Sequence, residues 1–225
     1  MRDTLKTKEY FDEYIRKMTE GIQRFEKGLA EGKYQADKIL FIKDCILQKK
    51  IGIIIAGYSA GAPIEEIKQG FYDTVGLFCE AWDDTIYESN LIYASLAYLL
   101  DTDEDKLNRI RDKLKSAETY DSLLGFILTG NKDEFDASKT AFPRSYNDLV
   151  KFIEDGDRKA FLKYLKGWYK GSKGSEWYGT HELENKYQYN GYWCFEAGAA
   201  AKRLGLDDSD LNNERYYPYD LVHFK

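Results

Sequence analysis

The chain has 225 residues, of which 43% are hydrophobic and 16% aromatic, and a formal net charge of −6 at pH 7. That length and apolar content support a real core, as one large domain or two packed halves, and exclude a disordered polypeptide. The negative balance disfavours direct nucleic-acid binding. The opening MRDTLKTKEYFDEY lacks the apolar centre of a secretion signal, so the expected location is cytoplasmic.

Helical spacing dominates from the start. Leu5, Phe11, Tyr14, Ile15, Met18, Ile22, Phe25 and Leu29 recur at three- and four-residue steps. This predicts one long amphipathic helix from about Asp3 to about Glu31. A second helix is expected from about Tyr34 to Tyr58, with the all-apolar run Ile51–Ala56 central. That run also reads as a strand, although length favours helix. The wider stretch Ile51–Ala62 is broken by glycines and too short to span a bilayer, so no membrane association is expected. Gly57–Ala62 is a break. Pro63 suits the first turn of a third helix, Glu65 and Glu66 favour its positive end, and the helix continues through Phe71, Val75, Phe78 and Trp82.

Asn90–Leu100 predicts a further apolar helix. Thr102 is expected to cap the next one, whose buried stripe is Leu107, Ile110 and Leu114. Tyr120–Thr129 is short and very apolar, and Gly130 and Asn131 stop it. The polar stretch Asn131–Phe142, followed by Pro143, is the expected junction between an N-terminal helical region, 1–140, and a C-terminal one, 141–225, packed as one unit. Ser145 and Asp157 then start two helices. Gly171–Gly179 is a Gly/Ser loop expected to expose Trp177 and Tyr178. Gly191–Gly205 is the last substantial helix, where Ala197–Ala201 would admit a close neighbour, and Asp207 caps a short turn after it. The sum is an all-α protein, an irregular multi-helix bundle of roughly nine or ten helices, with at most a minor β ribbon near the C-terminal tyrosines.

Charge is unevenly spread. Residues 61 to 105 hold eleven acidic side chains against one basic residue, Lys68. An acidic surface attracts and steers basic protein surfaces, among them the phosphate-holding face of a nuclease. Asp73, Glu80, Asp83, Asp84, Glu88, Asp101, Asp103, Glu104 and Asp105 are therefore candidate interface residues. Several such acids sit at helix starts, where the dipole explains them; Asp83, Asp84 and Glu88 are expected near a helix end, where it does not. Trp177 and Tyr178, flanked by glycines, are candidate aromatic anchors.

Catalytic and metal chemistry find little footing. Cys45, Cys79 and Cys194 are odd in number and far apart, which argues for buried thiols rather than a disulfide framework. Only His181 and His223 are present, and no CxxC, HxxH or HExxH spacing occurs, so no metal or cofactor is expected. Asp207-Asp208-Ser209-Asp210 resembles part of a calcium loop but lacks its glycine and spacing. Glu196 lies among Trp193, Phe195 and alanines. It reads either as a general acid with a raised pKa or as a structural carboxylate accepting from a tyrosine hydroxyl or paired with Arg or Lys; the structural role is expected. Gly171-Ser172-Lys173-Gly174-Ser175 has neither the spacing nor the preceding strand of a phosphate loop, and Lys163, Lys166, Lys170 and Lys173 read as helix surface.

Three blocks near the C-terminus carry a resemblance. They are Gly191-Tyr192-Trp193-x-Phe195-Glu196-Ala197, Leu206-Asp207-Asp208 and Tyr216-Tyr217-Pro218-Tyr219-Asp220-Leu221. In this order they resemble the C-terminal signature of the PoNi family, bacterial immunity proteins that neutralise PoNe-type DNase toxins. The opening Arg2-Asp3-Thr4-Leu5-Lys6 through Tyr10-Phe11 resembles the start of the same family. The resemblance implies a helical cytoplasmic protein, not an enzyme, that binds a cognate toxin of the PD-(D/E)xK nuclease class, non-covalently and stoichiometrically. Under it Tyr192, Trp193, Phe195, Glu196, Asp207, Asp208, Tyr217, Pro218, Tyr219 and Asp220 define the fold, and the protein is taken as a monomer. Two other readings stand beside it: a helical adaptor with an acidic partner surface, and a hydrolase using Glu196 with Asp207 and Asp208.

Overall fold

Residues 1–184 and 186–225 are described in the computed structural model. Among them the regular structure is helical throughout, with ten α-helices, four single 3-10 turns and no strand. Packing divides the chain into two units, residues 1–83 with 179–191, and residues 84–178 with 192–225. The division falls at 83/84, whereas the polar stretch before Pro143 suggests a boundary at 140/141.

The first unit is built on α1 (Lys8–Ala30), α2 (Ile39–Ala60) and α3 (Ile64–Ala81), with α2 packed against both others. α1 begins at Lys8, later than its apolar spacing predicts. The Asp3 carboxylate accepts from the amides of Leu5 and Lys6 (2.8 and 3.0 Å), and this local turn competes with helix until Thr7 caps Tyr10. The first residues instead close the end of α2. The amides of Arg2 and Asp3 both donate to the Ser59 carbonyl, and the Arg2 guanidinium donates to the carbonyls of Tyr58 and Ala62. Ile51–Ala56 is helical and almost wholly buried, which resolves its strand ambiguity. A 3-10 turn, Ala36–Lys38, occupies what the sequence predicts as the start of that helix. Gly61 ends it at φ 91°, a conformation glycine adopts without penalty.

Residues 179–191 return to this unit from far along the chain. The Tyr10 hydroxyl donates to the Tyr189 carbonyl (3.1 Å), Tyr187 stacks on Tyr10 with centroids 5.5 Å apart, and the Ser59 hydroxyl donates to the Asn190 carbonyl (2.8 Å).

The second unit holds α4 (Tyr87–Leu99), α5 (Glu104–Lys115), α6 (Ser122–Thr129), α7 (Pro143–Asp155), α8 (Arg158–Gly171), α9 (Phe195–Leu204) and α10 (Tyr219–Val222). α9 is its hub and packs against α4, α6, α7 and α10. The small residues Ala197–Ala201 are buried and make this possible: a Cβ on Gly198 would lie 2.6 Å from Cγ of Pro218. The same helix caps its neighbours. Lys202 donates to the carbonyls of Leu99 and Phe224, and Arg203 to those of Ile127 and Leu128, where α4 and α6 leave acceptors unpaired.

Two local expectations need correction. Thr102 does not cap α5; Asp103 does, accepting from the Lys106 amide (3.0 Å), because a carboxylate one residue nearer the helix reaches that amide. Residues 131–142 hold two 3-10 turns, capped by Asn131 and Asp136. Residues 191–194 are not helical, and the Cys194 amide pairs with the Tyr216 carbonyl (2.8 Å) without forming a ribbon. The C-terminus is tied in through buried Tyr217, Pro218 and Leu221.

Candidate functional site

Four carboxylates are buried among the described residues: Asp3, Asp121, Glu196 and Asp208. Each accepts from a tyrosine hydroxyl. Tyr189 serves Asp3, Tyr87 serves Asp121 (2.9 Å), Tyr164 serves Glu196 (2.7 Å) and Tyr217 serves Asp208 (2.6 Å). Burial of a carboxylate is tolerated when it is hydrogen-bonded, and a tyrosine brings its donor on an apolar ring. This gives four of the chain's 19 tyrosines a definite task.

Glu196 is 4% exposed. Its Oε1 also receives Trp168 Nε1 (2.8 Å) and Cys194 Sγ (3.3 Å). Burial is the main influence on its pKa and raises it, against those hydrogen bonds. The same environment pushes the Tyr164 hydroxyl and the Cys194 thiol up, burial first and the Glu196 charge second. Three donors close in this carboxylate. Asp207, by contrast, is exposed and caps Ser209 (3.2 Å), as its spacing predicts. Burial also covers Tyr192, Trp193 and Phe195, while Tyr219 is half-buried and Asp220 exposed in the first turn of α10.

The acidic candidates fall on both units. Asp73, Glu80 and Asp83 belong to the first; Asp84, Glu88, Asp101, Asp103, Glu104 and Asp105 to the second. Asp73 accepts from Gln69, and Glu80 pairs with Lys43. The Asp83 amide donates to Asp44 (3.2 Å). Asp84 pairs with Lys113 (3.3 Å), Asp103 with Lys106 (2.7 Å) and Glu104 with Arg111 (3.3 Å). Asp105 is exposed in the first turn of α5, and Asp101 is exposed at φ 50°. Asp83 and Asp84 do lie just past the end of α3. Glu88 does not: it is in the first turn of α4, where the helix dipole favours its charge.

Trp177 and Tyr178 also need correction, because neither stands free in solvent. Trp177 donates to Glu88 (2.7 Å) and stacks on Trp168 with centroids 5.1 Å apart; Tyr178 stacks on Tyr169 at 4.6 Å. Both are half-buried. Glycines flanking aromatic residues signal a turn, and here the turn folds the rings back onto α8.

Sequence reasoning missed the residues that do expose large apolar area on the second unit, Ile86 and Phe142. Phe142 carried one available signal. It precedes Pro143, which disfavours ordinary helical backbone, and it takes φ 52°, ψ 52°. Cys45, Cys79 and Cys194 are thiols, and no group of three His, Cys, Asp or Glu suited to a metal ion occurs among the described residues.

Comparison with known proteins assigns the whole length. Residues 2–112 match the N-terminal part of the PoNe immunity proteins (PoNi), and residues 119–221 match their C-terminal part. No curated protein and no solved structure matches. With both parts present in order and nearly every residue covered, the chain belongs to the family of PoNe immunity proteins.

Proposed function

We propose that this protein protects its host by binding a cognate PoNe-type DNase toxin of the PD-(D/E)xK class, non-covalently and in stoichiometric amount, in the cytoplasm. The observation that carries the reading is the match to both parts of the immunity family from residue 2 to residue 221. The acid-rich stretch from Gly61 to Asp105 supports it, since a nuclease must present a basic surface to DNA. On this reading the protein is not an enzyme. The hydrolase alternative requires Glu196 to meet a substrate, and that carboxylate is buried with Tyr164, Trp168 and Cys194 all directed at one oxygen.

The test is co-expression with the PoNe toxin encoded beside the gene, scoring survival and DNA integrity, followed by titration of purified toxin. Protection with 1:1 saturation is expected. Converting Asp83 and Asp84 together to Lys should weaken binding and reduce its salt dependence, because like charges then face the basic surface. Protection at strongly sub-stoichiometric amounts would instead indicate catalysis.

A further inference from the structure

Ile86 and Phe142 are 52% and 59% exposed. Ile86 precedes Tyr87 in the chain, and the Phe142 ring lies 5.2 Å from that of Tyr87, centroid to centroid. The base beneath them is fixed. The Tyr87 hydroxyl donates to Asp121, and the same carboxylate takes the amides of Leu124 (2.8 Å) and Ala141 (2.7 Å). One buried acid thus holds both the ring and the residue next to Phe142.

Phe142 itself occupies left-handed backbone, where a glycine is free and a bulky residue is disfavoured. A turn alone would be served by glycine. The chain places an aromatic ring there instead, more than half in water, on a preorganised support.

The α4 edge of this patch is acidic. Asp84 lies two residues before Ile86 and pairs with Lys113 (3.3 Å), and Glu88 lies two residues after it; each is partly exposed. Glu88 is held in place by Trp177 and by Ser175 (3.1 Å). No Lys or Arg occurs from Asp84 to Asp105. The α7 edge begins with exposed Pro143 and Arg144, so the carboxylates lie on the α4 side. A rigid apolar centre with a carboxylate edge fits a protein surface that presents an apolar side chain beside lysine or arginine.

We infer that Ile86 and Phe142, with Tyr87 buried beneath them and with Asp84 and Glu88 at the edge, form the contact centre for the basic surface of the PoNe toxin. This rests on the immunity reading. The experiment is calorimetric titration of the full-length protein with the PoNe toxin encoded beside its gene, using Ile86→Asp, Phe142→Gly and, on the first unit, Phe41→Asp. Phe41 is comparably exposed, at 63%. Ile86→Asp and Phe142→Gly should each bind about tenfold more weakly or worse, with melting temperatures showing that they are folded, while Phe41→Asp keeps wild-type affinity. Wild-type affinity in both corner variants, or an equal loss in Phe41→Asp, overturns the assignment. So does sedimentation showing a wild-type dimer that Ile86→Asp and Phe142→Gly dissociate, because the patch then serves a second copy. If wild-type protein fails to bind the toxin at all, the immunity reading falls together with the patch; if wild type binds and the corner variants match it, only the patch falls.

Discussion

Two parts of the second unit use the same kinds of residue in opposite ways. In the C-terminal signature, acids and aromatics face one another inside: Asp208 meets Tyr217, and Glu196 meets Tyr164 and Trp168. At the starts of α4 and α7, the apolar side chains of Ile86 and Phe142 face solvent, and the acids beside Ile86 are only partly covered. Two of the signature's acids, Glu196 and Asp208, are buried with internal partners, while Asp207 and Asp220 are exposed. The α4 corner leaves apolar area in solvent, as the proposed contact requires.

The strongest way to break this contrast is to remove the end of the signature. Deleting Tyr216 to Lys225 takes away the buried side chains of Tyr217, Pro218 and Leu221. The apolar ones contribute about 1.5–3 kcal/mol each, and Asp208 is left without its hydroxyl donor at a further cost of about 1–3 kcal/mol. Against a total stability of about 5–15 kcal/mol, cooperative thermal unfolding should disappear. A truncated protein that melts with the parent would show that the signature is not structural.

Smaller changes sharpen the same contrast. Gly198→Val places a Cβ 2.6 Å from Cγ of Pro218, and overpacking of that kind costs about 1–3 kcal/mol. Denaturant titration should show that loss, and an unchanged midpoint would mean that α9 and Pro218 separate freely. Tyr217→Phe should cost a comparable amount, because Asp208 stays buried while losing a donor. Ile86→Asp puts a capping residue at the N-cap of α4, where isoleucine makes no cap, and should not lower stability. Stability should thus respond to the signature and ignore the corner, with toxin affinity following the reverse order at Ile86.

Local pattern carried much of this architecture. The apolar spacing of residues 5–29 marked α1, Gly130 and Gly205 marked helix ends, and Asp157 marked the start of α8. That Glu196 would meet a tyrosine hydroxyl was legible because an isolated carboxylate among Trp193, Phe195 and alanines requires a donor. What local pattern could not carry was set by distant residues. Asp3 turns the chain before α1 and receives the hydroxyl of Tyr189, 186 residues away. The burial of Trp177 depends on where Trp168 and Glu88 come to lie. Charge counting raised Asp83, Asp84 and Glu88 together, yet helix boundaries a few residues long decide that Glu88 is favourably placed at a helix start. Exposure of Ile86 and Phe142 leaves no periodic trace, since single apolar residues in turns are common.

The smallest expected effect concerns protons on Glu196. Burial raises its pKa in the folded protein above the ordinary value of 4.5, whereas the unfolded chain keeps that ordinary value. The folded state therefore binds more protons in the window just above 4.5, so stability is fully present below that window and falls as pH rises through the folded pKa. Asp121 is shifted the same way by burial, and its contribution has the same sign. Glu196→Gln removes one of the two without removing the carbonyl oxygen that Tyr164 and Trp168 address. Asp121 titrates in both proteins, so the difference between their melting curves isolates Glu196. That difference should move in favour of the Gln variant as pH rises from below 4.5 toward neutrality, and then level off. Melting temperatures of parent and variant across that range measure it. A constant offset at every pH would mean that Glu196 titrates alike in the folded and unfolded chains, and that Tyr164, Trp168 and Cys194 hold its charge as well as water does.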